Sequence, residues 1–142
     1  MDTLTVMPGH LIRRAQQVST ALFAEECAGF DLTAVQYAAL VAIGAHPGLD
    51  ATRLSALIAF DRSTMGDVLE RLEAKGWVLR QPSARDRRVK KLTLSAAGAA
   101  LLAEVQPAVQ RVQQRLLAPF AAAEHAAVLD LLRRLSHAAP AG

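Results

Sequence analysis

The chain has 142 residues, of which 52% are hydrophobic and 20% charged, and its formal net charge is +3. That length predicts one domain, and the composition is typical of a folded chain rather than a disordered one. The single cysteine excludes an intramolecular disulfide framework. Neither a signal peptide nor an apolar run of membrane-spanning length is present. We therefore expect a soluble, cytoplasmic protein without a membrane partner.

Two helices are predicted in the first third of the chain. After Pro8, four apolar residues between positions 11 and 22 recur at the spacing of one helical face, and Gly29 is a typical helix stop. Thr33 and Gln36 have the spacing of a capping box, which predicts the start of a second helix. That helix should end before His46, where a Pro-Gly pair follows.

Asp50 and Asp61 are suitable N-caps for a short third helix and a longer fourth helix. In the fourth helix, Met65, Val68, Leu69 and Leu72 stand at the i, i+3, i+4, i+7 positions of an amphipathic stripe. The opposite face of this helix carries small and polar residues, which we expect to be exposed.

Two short strand-like runs, at 78–81 and 91–94, predict a β-hairpin with a long charged tip. Positions 62–91 hold nine basic and four acidic residues, whereas the other 112 residues hold seven and nine. A local surplus of this kind favours a surface that binds a polyanion.

Beyond the hairpin, Ser95 is the predicted cap of a long helix that reaches about Leu117 and is bent at Pro107. A last helix is predicted over 122–136. Both carry more leucine and valine than a domain of this size needs for its own cover, which indicates a homodimer surface.

The order of short helix, turn, amphipathic helix and charged hairpin predicts a mainly α fold with a small β-wing, a winged helix-turn-helix. The first turns of the fourth helix would reach base edges in the major groove, and the wing would reach phosphates and the minor groove. The candidate base-contacting residues are Arg62, Ser63, Thr64, Gly66 and Asp67. The candidate wing residues are Arg80, Arg85, Arg87, Lys90 and Arg88, with Arg88 entering the minor groove and Asp86 holding its guanidinium.

The stretch from Leu54 to Leu102 resembles the core of the MarR family of bacterial regulators. The resemblance is carried by Asp86-Arg87-Arg88, which matches an Asp-x-Arg element of the wing, and by Leu92-Thr93 followed by Gly98, one residue later than in the simplest form of that motif. It implies a ligand-responsive transcriptional regulator, usually a repressor, that binds a pseudo-palindromic operator as a homodimer. The implied organisation of the chain 1–142 is a winged helix-turn-helix over 32–98, with dimerisation helices over 8–29 and 99–138.

The family is commonly released from DNA by small aromatic acids or phenols. The candidate effector-binding residues are His10, Arg14 and Gln17, which share a helical stripe about 90° from the apolar one, and Tyr37 in the second helix. Arginine would pair with a carboxylate, and histidine or glutamine would bind a ring substituent. The alternative is an ordinary polar flank of the first helix.

Other functions leave weaker signals. Cys27 could serve a thiol-based redox-sensing repressor, but the adjacent Glu25 and Glu26 would raise its pKa. A non-specific architectural DNA-binding protein is a further alternative. The four histidines are scattered without metal-ligand spacing, and no phosphate loop or nucleophile motif is present. We therefore expect no enzymatic activity, no metal and no cofactor.

Overall fold

The structure is a computed structural model that describes residues 3–58 and 62–137. Within these ranges it is mainly helical with one two-stranded antiparallel sheet, as predicted. The helices and strands are α1 (Pro8–Glu26), α2 (Ala34–Ala45), α3 (Ala51–Leu57), α4 (Arg62–Ala74), β1 (Val78–Pro82), β2 (Lys90–Leu94), α5 (Ala96–Leu117) and α6 (His125–Ser136).

Three predicted helix caps are confirmed. The Thr33 hydroxyl accepts a hydrogen bond from the backbone N–H of Gln36 at 3.1 Å, and the Gln36 side chain accepts one from the N–H of Thr33 at 3.1 Å. Asp50 and Ser95 each accept a hydrogen bond from the backbone N–H three residues further on. The predicted cap Asp61 lies outside the described residues.

Two predicted helix ends were wrong by a few residues. α1 ends at Glu26, and residues 28–30 form a 3₁₀ turn, because the left-handed conformation that ends this segment falls on Asp31 (φ 50°) and not on Gly29. Aspartate tolerates that conformation better than most residues. The last α-helix begins at His125, since residues 122–124 form a separate 3₁₀ turn.

The core lies between α2, α3, α4, the wing and α5. The predicted inner stripe of α4 is confirmed, because its four apolar side chains are at most 7% exposed. Burying a side chain of this size contributes about 1.5–3 kcal/mol each. The largest fully buried side chains are Leu40, Ile43, Leu54, Met65, Leu69, Leu72, Leu92, Val105 and Val112.

The wing is rooted on the turn between α2 and α3. Its strands pair from Val78 opposite Leu94 to Pro82 opposite Lys90. In addition, the Leu92 N–H donates to the carbonyl of Leu49 at 2.8 Å, and the Leu92 carbonyl accepts from the N–H of residue 48 at 2.9 Å. The hairpin is therefore held at its base by backbone hydrogen bonds to the helix-turn-helix.

The joint between β2 and α5 requires a glycine. A Cβ atom at Gly98 would lie 2.2 Å from the carbonyl oxygen of Trp77. That oxygen already accepts a hydrogen bond from the Ser95 N–H at 3.0 Å. The close approach explains why glycine stands at this point of the sequence motif.

Helix α1 is clasped to α5 by ion pairs near its C-terminal end. Arg111 donates to Glu26 at 2.7 Å, and Arg115 donates to Glu25 at 2.7 Å and to Glu26 at 3.2 Å. The hydrogen bond from Arg111 lowers the pKa of Glu26; burial opposes this shift and Arg115 reinforces it. The pairing with Glu25 raises the pKa of Arg115.

Both terminal parts of the chain leave apolar side chains uncovered. On α1, Leu11 is 47% and Val18 is 52% exposed. On α6, Leu131, Leu132 and Leu135 are each more than half exposed. Isolated exposed leucines are ordinary, but a row of them on two helices of one small domain indicates a surface meant to be covered.

Across 3–58 and 62–137, none of the helices has both the length and the apolar character needed to cross a membrane. The same described residues contain no group of three or more histidine, cysteine, aspartate or glutamate side chains placed to hold a metal ion.

Candidate nucleic-acid interface

The first turns of α4 present the residues predicted to contact bases. Ser63, Thr64, Gly66 and Asp67 are all exposed, and they lie opposite the buried stripe. A Cβ atom added to Gly66 would meet no heavy atom within 4 Å, so this part of the helix faces open space. Arg62 begins the helix, and its side chain is outside what the structure describes.

The tip of the wing holds one arginine in a fixed orientation. The Arg88 guanidinium donates from Nε to Asp86 Oδ1 and from Nη2 to Asp86 Oδ2, both at 3.1 Å. The backbone N–H of Arg88 also donates to Asp86 Oδ1 at 3.1 Å. These bonds, the side-chain ones first, lower the pKa of Asp86. The Arg88 side chain is 90% exposed, so the predicted fork orients it while leaving it open to a partner.

The wing loop has internal structure. The Ser83 N–H donates to the carbonyl of Val89 at 2.8 Å, and the hydroxyl of Ser83, a residue only 6% exposed, accepts from the N–H of Arg85 at 3.2 Å. Arg85, Arg87 and Lys90 are exposed around this turn. The structure thus groups these three basic residues with Arg88 on one ordered loop.

Arg80 is placed differently from the other basic wing residues. Its Nε donates to Glu73 Oε1, near the end of α4, and the two side chains are 30% and 35% exposed. This ion pair ties β1 to the recognition helix and partly neutralises the charge of Arg80. Sequence reasoning missed Glu73, since no pattern signals a pair that spans the turn at residues 75–76.

A cleft of about 240 Å³ separates the start of α3 from the wing. Its basic side chains are Arg80, Arg88 and Lys90, and its opposite wall is formed by residues 50–52. Such a cleft matches a phosphate in charge and size. Sequence reasoning used Asp50 only as a helix cap and missed this wall, because the docking of the wing beside α3 is a tertiary feature.

The candidate effector residues fall into two groups within one protomer. His10 is half-buried, and Arg14 and Gln17 are exposed, all in the first half of α1. Tyr37 is half-buried in α2, with its ring centroid 6.0 Å from that of Phe23. Nine residues of helix, about 13 Å along the axis, separate Phe23 from Arg14. Burial, followed by the proximity of Cys27, raises the pKa of Tyr37.

Cys27 is buried, with 2% of the residue exposed. Burial raises the pKa of its thiol, and the charge of Glu26 raises it further against a smaller opposing effect of Arg111. A thiol in this environment stays protonated and reacts slowly with oxidants. The geometry therefore speaks against redox sensing through this residue.

A recognition helix with an exposed polar first turn, beside a basic wing, defines a winged helix-turn-helix DNA-binding protein. The sequence model of the MarR family matches residues 30–89. The chain is also 33% identical over 132 residues to the HTH-type transcriptional repressor NicR of Pseudomonas putida, which covers 93% of this chain and 84% of that one. The chain belongs to the MarR family, and it is a transcriptional regulator rather than an enzyme.

Two solved structures are similar over nearly their whole length. One is the PcaV transcriptional regulator of Streptomyces coelicolor in complex with its natural ligand, with 35% identity, a TM-score of 0.90 and 99% of both chains covered. The other is BpsR of Bordetella bronchiseptica, in a study of how 6-hydroxynicotinic acid regulates its DNA binding. It has 30% identity and a TM-score of 0.91, with 98% of this chain and 99% of that one covered.

Proposed function

We propose that this chain is a homodimeric bacterial repressor that acts in the cytoplasm, binds a pseudo-palindromic operator and is released by a small aromatic carboxylic acid. The observation that carries the DNA-binding part is the Asp86–Arg88 fork on a wing rooted in the helix-turn-helix. Support for the regulatory part comes from relatives: NicR is a repressor, and the DNA binding of BpsR is regulated by 6-hydroxynicotinic acid.

In this proposal α4 enters the major groove and the wing lies over the adjacent minor groove. The base-contacting residues are Arg62, Ser63, Thr64, Gly66 and Asp67. Arg88 enters the minor groove, whose negative potential favours arginine, and Arg85, Arg87 and Lys90 contact phosphates. Arg80 faces the cleft beside α3, where its pairing with Glu73 orients it toward a phosphate.

The dimer is formed by the segments 8–29 and 99–138. The exposed apolar side chains of α1 and α6 supply the contact surface, since water-exposed leucines gain about 25 cal/mol for each Å² that a partner covers. A two-fold dimer presents its two recognition helices about 34 Å apart, one turn of DNA.

The effector is bound by Arg14 through its carboxylate, by His10 or Gln17 through a ring substituent, and by Tyr37 through stacking or its hydroxyl. Because one protomer separates Tyr37 from the stripe on α1, the site combines groups from the two protomers of the dimer.

The proposal is tested by a mobility shift on the DNA beside the protein's own gene, at physiological salt, with a panel of hydroxylated benzoates and pyridine carboxylates. We expect retention that one acid reverses. Arg88→Ala should weaken specific binding by on the order of 1–3 kcal/mol, whereas Arg134→Ala, an exposed arginine on α6, should not.

Equal losses for the two arginine variants would show that only total charge matters and would refute the assigned role of Arg88. Equal retention of promoter and random DNA would favour the architectural alternative. Release by a hydroperoxide, but by no acid, would favour the redox alternative through Cys27.

A further inference from the structure

A cavity of about 510 Å³ lies where the end of α1, the start of α2 and the end of α4 meet. Its apolar side is formed by Ala24, Cys27 and Leu32, and its polar side chains are Gln36, Arg71 and Lys75. None of the candidate effector residues lines it. We call it the junction cavity.

Two cations converge on the junction cavity from α4. Arg71 and Lys75 are four residues apart, so they lie one above the other on the same face of the helix. Arg71 is exposed and makes no hydrogen bond or ion pair with any residue that the structure describes. The acidic side chain at the cavity, Asp31, has a carboxylate that is 94% exposed, so water screens much of its charge.

Lys75 is held in place by several weak partners. Its Nζ donates to the backbone carbonyl of Asp31 and lies 3.4 Å from the Asp31 carboxylate. It also donates to Gln36 Oε1 at 3.3 Å and stands 4.8 Å from the ring centroid of Trp77. Lys75 therefore connects the α1–α2 turn to the segment that joins the recognition helix to the wing.

Gln36 supplies a donor at the wall of the cavity. The residue is only 4% exposed, and its Oε1 already accepts from the N–H of Thr33 and from Lys75. Its Nε2 donates to none of the described residues. A buried amide donor beside two cations and an apolar wall matches an anion that carries a hydrocarbon body.

We propose that the junction cavity binds a small organic monocarboxylate. The carboxylate bridges Arg71 and Lys75 and accepts from Gln36 Nε2, while the hydrocarbon part packs against Ala24, Cys27 and Leu32. Binding competes with Asp31 for Lys75, and it thereby changes how the end of the recognition helix is tied to the α1–α2 turn. This second site is separate from the proposed effector residues on α1 and Tyr37.

Two natural probes report on the cavity, because the chain has one tryptophan and one cysteine. Trp77 contacts the lysine that the carboxylate would draw away, and Cys27 forms part of the wall. DNA-free protein is titrated with cyclohexanecarboxylate, which does not absorb where tryptophan is excited. We expect a saturable change in Trp77 fluorescence and, with the same midpoint, a slower alkylation of Cys27. Neutral cyclohexanecarboxamide should produce neither effect.

The variants place the ligand. Arg71→Gln should weaken binding about tenfold or more, since it removes a charge-assisted hydrogen bond. Arg85→Gln, which removes an exposed arginine of the wing, is the charge-matched control and should leave the midpoint unchanged, as should Arg14→Gln. No saturation by either probe at tens of millimolar, or a loss for Arg14→Gln equal to that for Arg71→Gln, overturns the proposal. Neither readout uses DNA, so this failure is distinguishable from failure of the repressor function.

Discussion

Replacing Gly98 with alanine would place a methyl group against the backbone where β2 meets α5. The added Cβ would lie 2.2 Å from the Trp77 carbonyl oxygen and 3.0 Å from its carbonyl carbon. Because these are backbone atoms, no side-chain rotation relieves the contact, and the bond from the Ser95 N–H to the same oxygen must stretch or break. Overpacking costs about 1–3 kcal/mol and a lost hydrogen bond about 0.5–1.5 kcal/mol, so we expect a loss of about 2–4 kcal/mol in the free energy of unfolding.

The measurement is urea unfolding followed by circular dichroism at one fixed protomer concentration, since dimer stability depends on concentration. With a urea m-value of about 2 kcal/mol/M, the midpoint should fall by about 1–2 M. Gly29→Ala is the matched control: its added Cβ would meet no heavy atom within 4 Å, and its φ is not positive. A loss below about 1 kcal/mol for Gly98→Ala would show that the joint adapts and would refute the reasoning.

Three further predictions concern the interface and the thiol. Gly66→Ala should stabilise α4 by about 1 kcal/mol, because its Cβ meets open space, yet it should weaken operator binding in a mobility shift; unchanged affinity would remove Gly66 from the interface. The lowered pKa of Asp86 means that its fork is intact above the ordinary carboxyl range and is lost only as pH falls through the lowered value. Carbon-detected NMR titration should therefore give a low midpoint for Asp86 that rises in Arg88→Gln, and identical midpoints would contradict the fork. Operator binding should survive hydrogen peroxide equally in the wild type and in Cys27→Ser, since burial raises the thiol pKa; release confined to the wild type would count against this.

Local signals explain why much of the fold was predictable. The cap at Thr33 and the stripe that includes Met65 depend on residues within one or two helical turns, and both are confirmed. Pairs of residues at such spacings share one helical face whatever surrounds them. The end of α1 was predicted less well, because either Gly29 or Asp31 suits a left-handed residue and only packing decides between them.

Long-range contacts explain what the sequence could not predict. The clasp between Glu26 and Arg111 joins residues 85 positions apart, and the contacts of Lys75 join α4 to a turn about 40 positions earlier. Nothing in either local pattern distinguishes these charges from solvated ones. The same holds for Arg80: its charge was evident, but its pairing with Glu73 required the turn that brings β1 back beside α4.

The backbone bridge at Leu92 also bears on the mechanical state of the DNA. Because the hairpin is bonded to the turn before α3, the reader of bases and the reader of groove width form a rigid bracket with a set spacing. An overwound or underwound duplex presents its two grooves out of phase with that bracket, even when every base is correct. Torsional strain in the chromosome would therefore tune how strongly such a bracket grips its site.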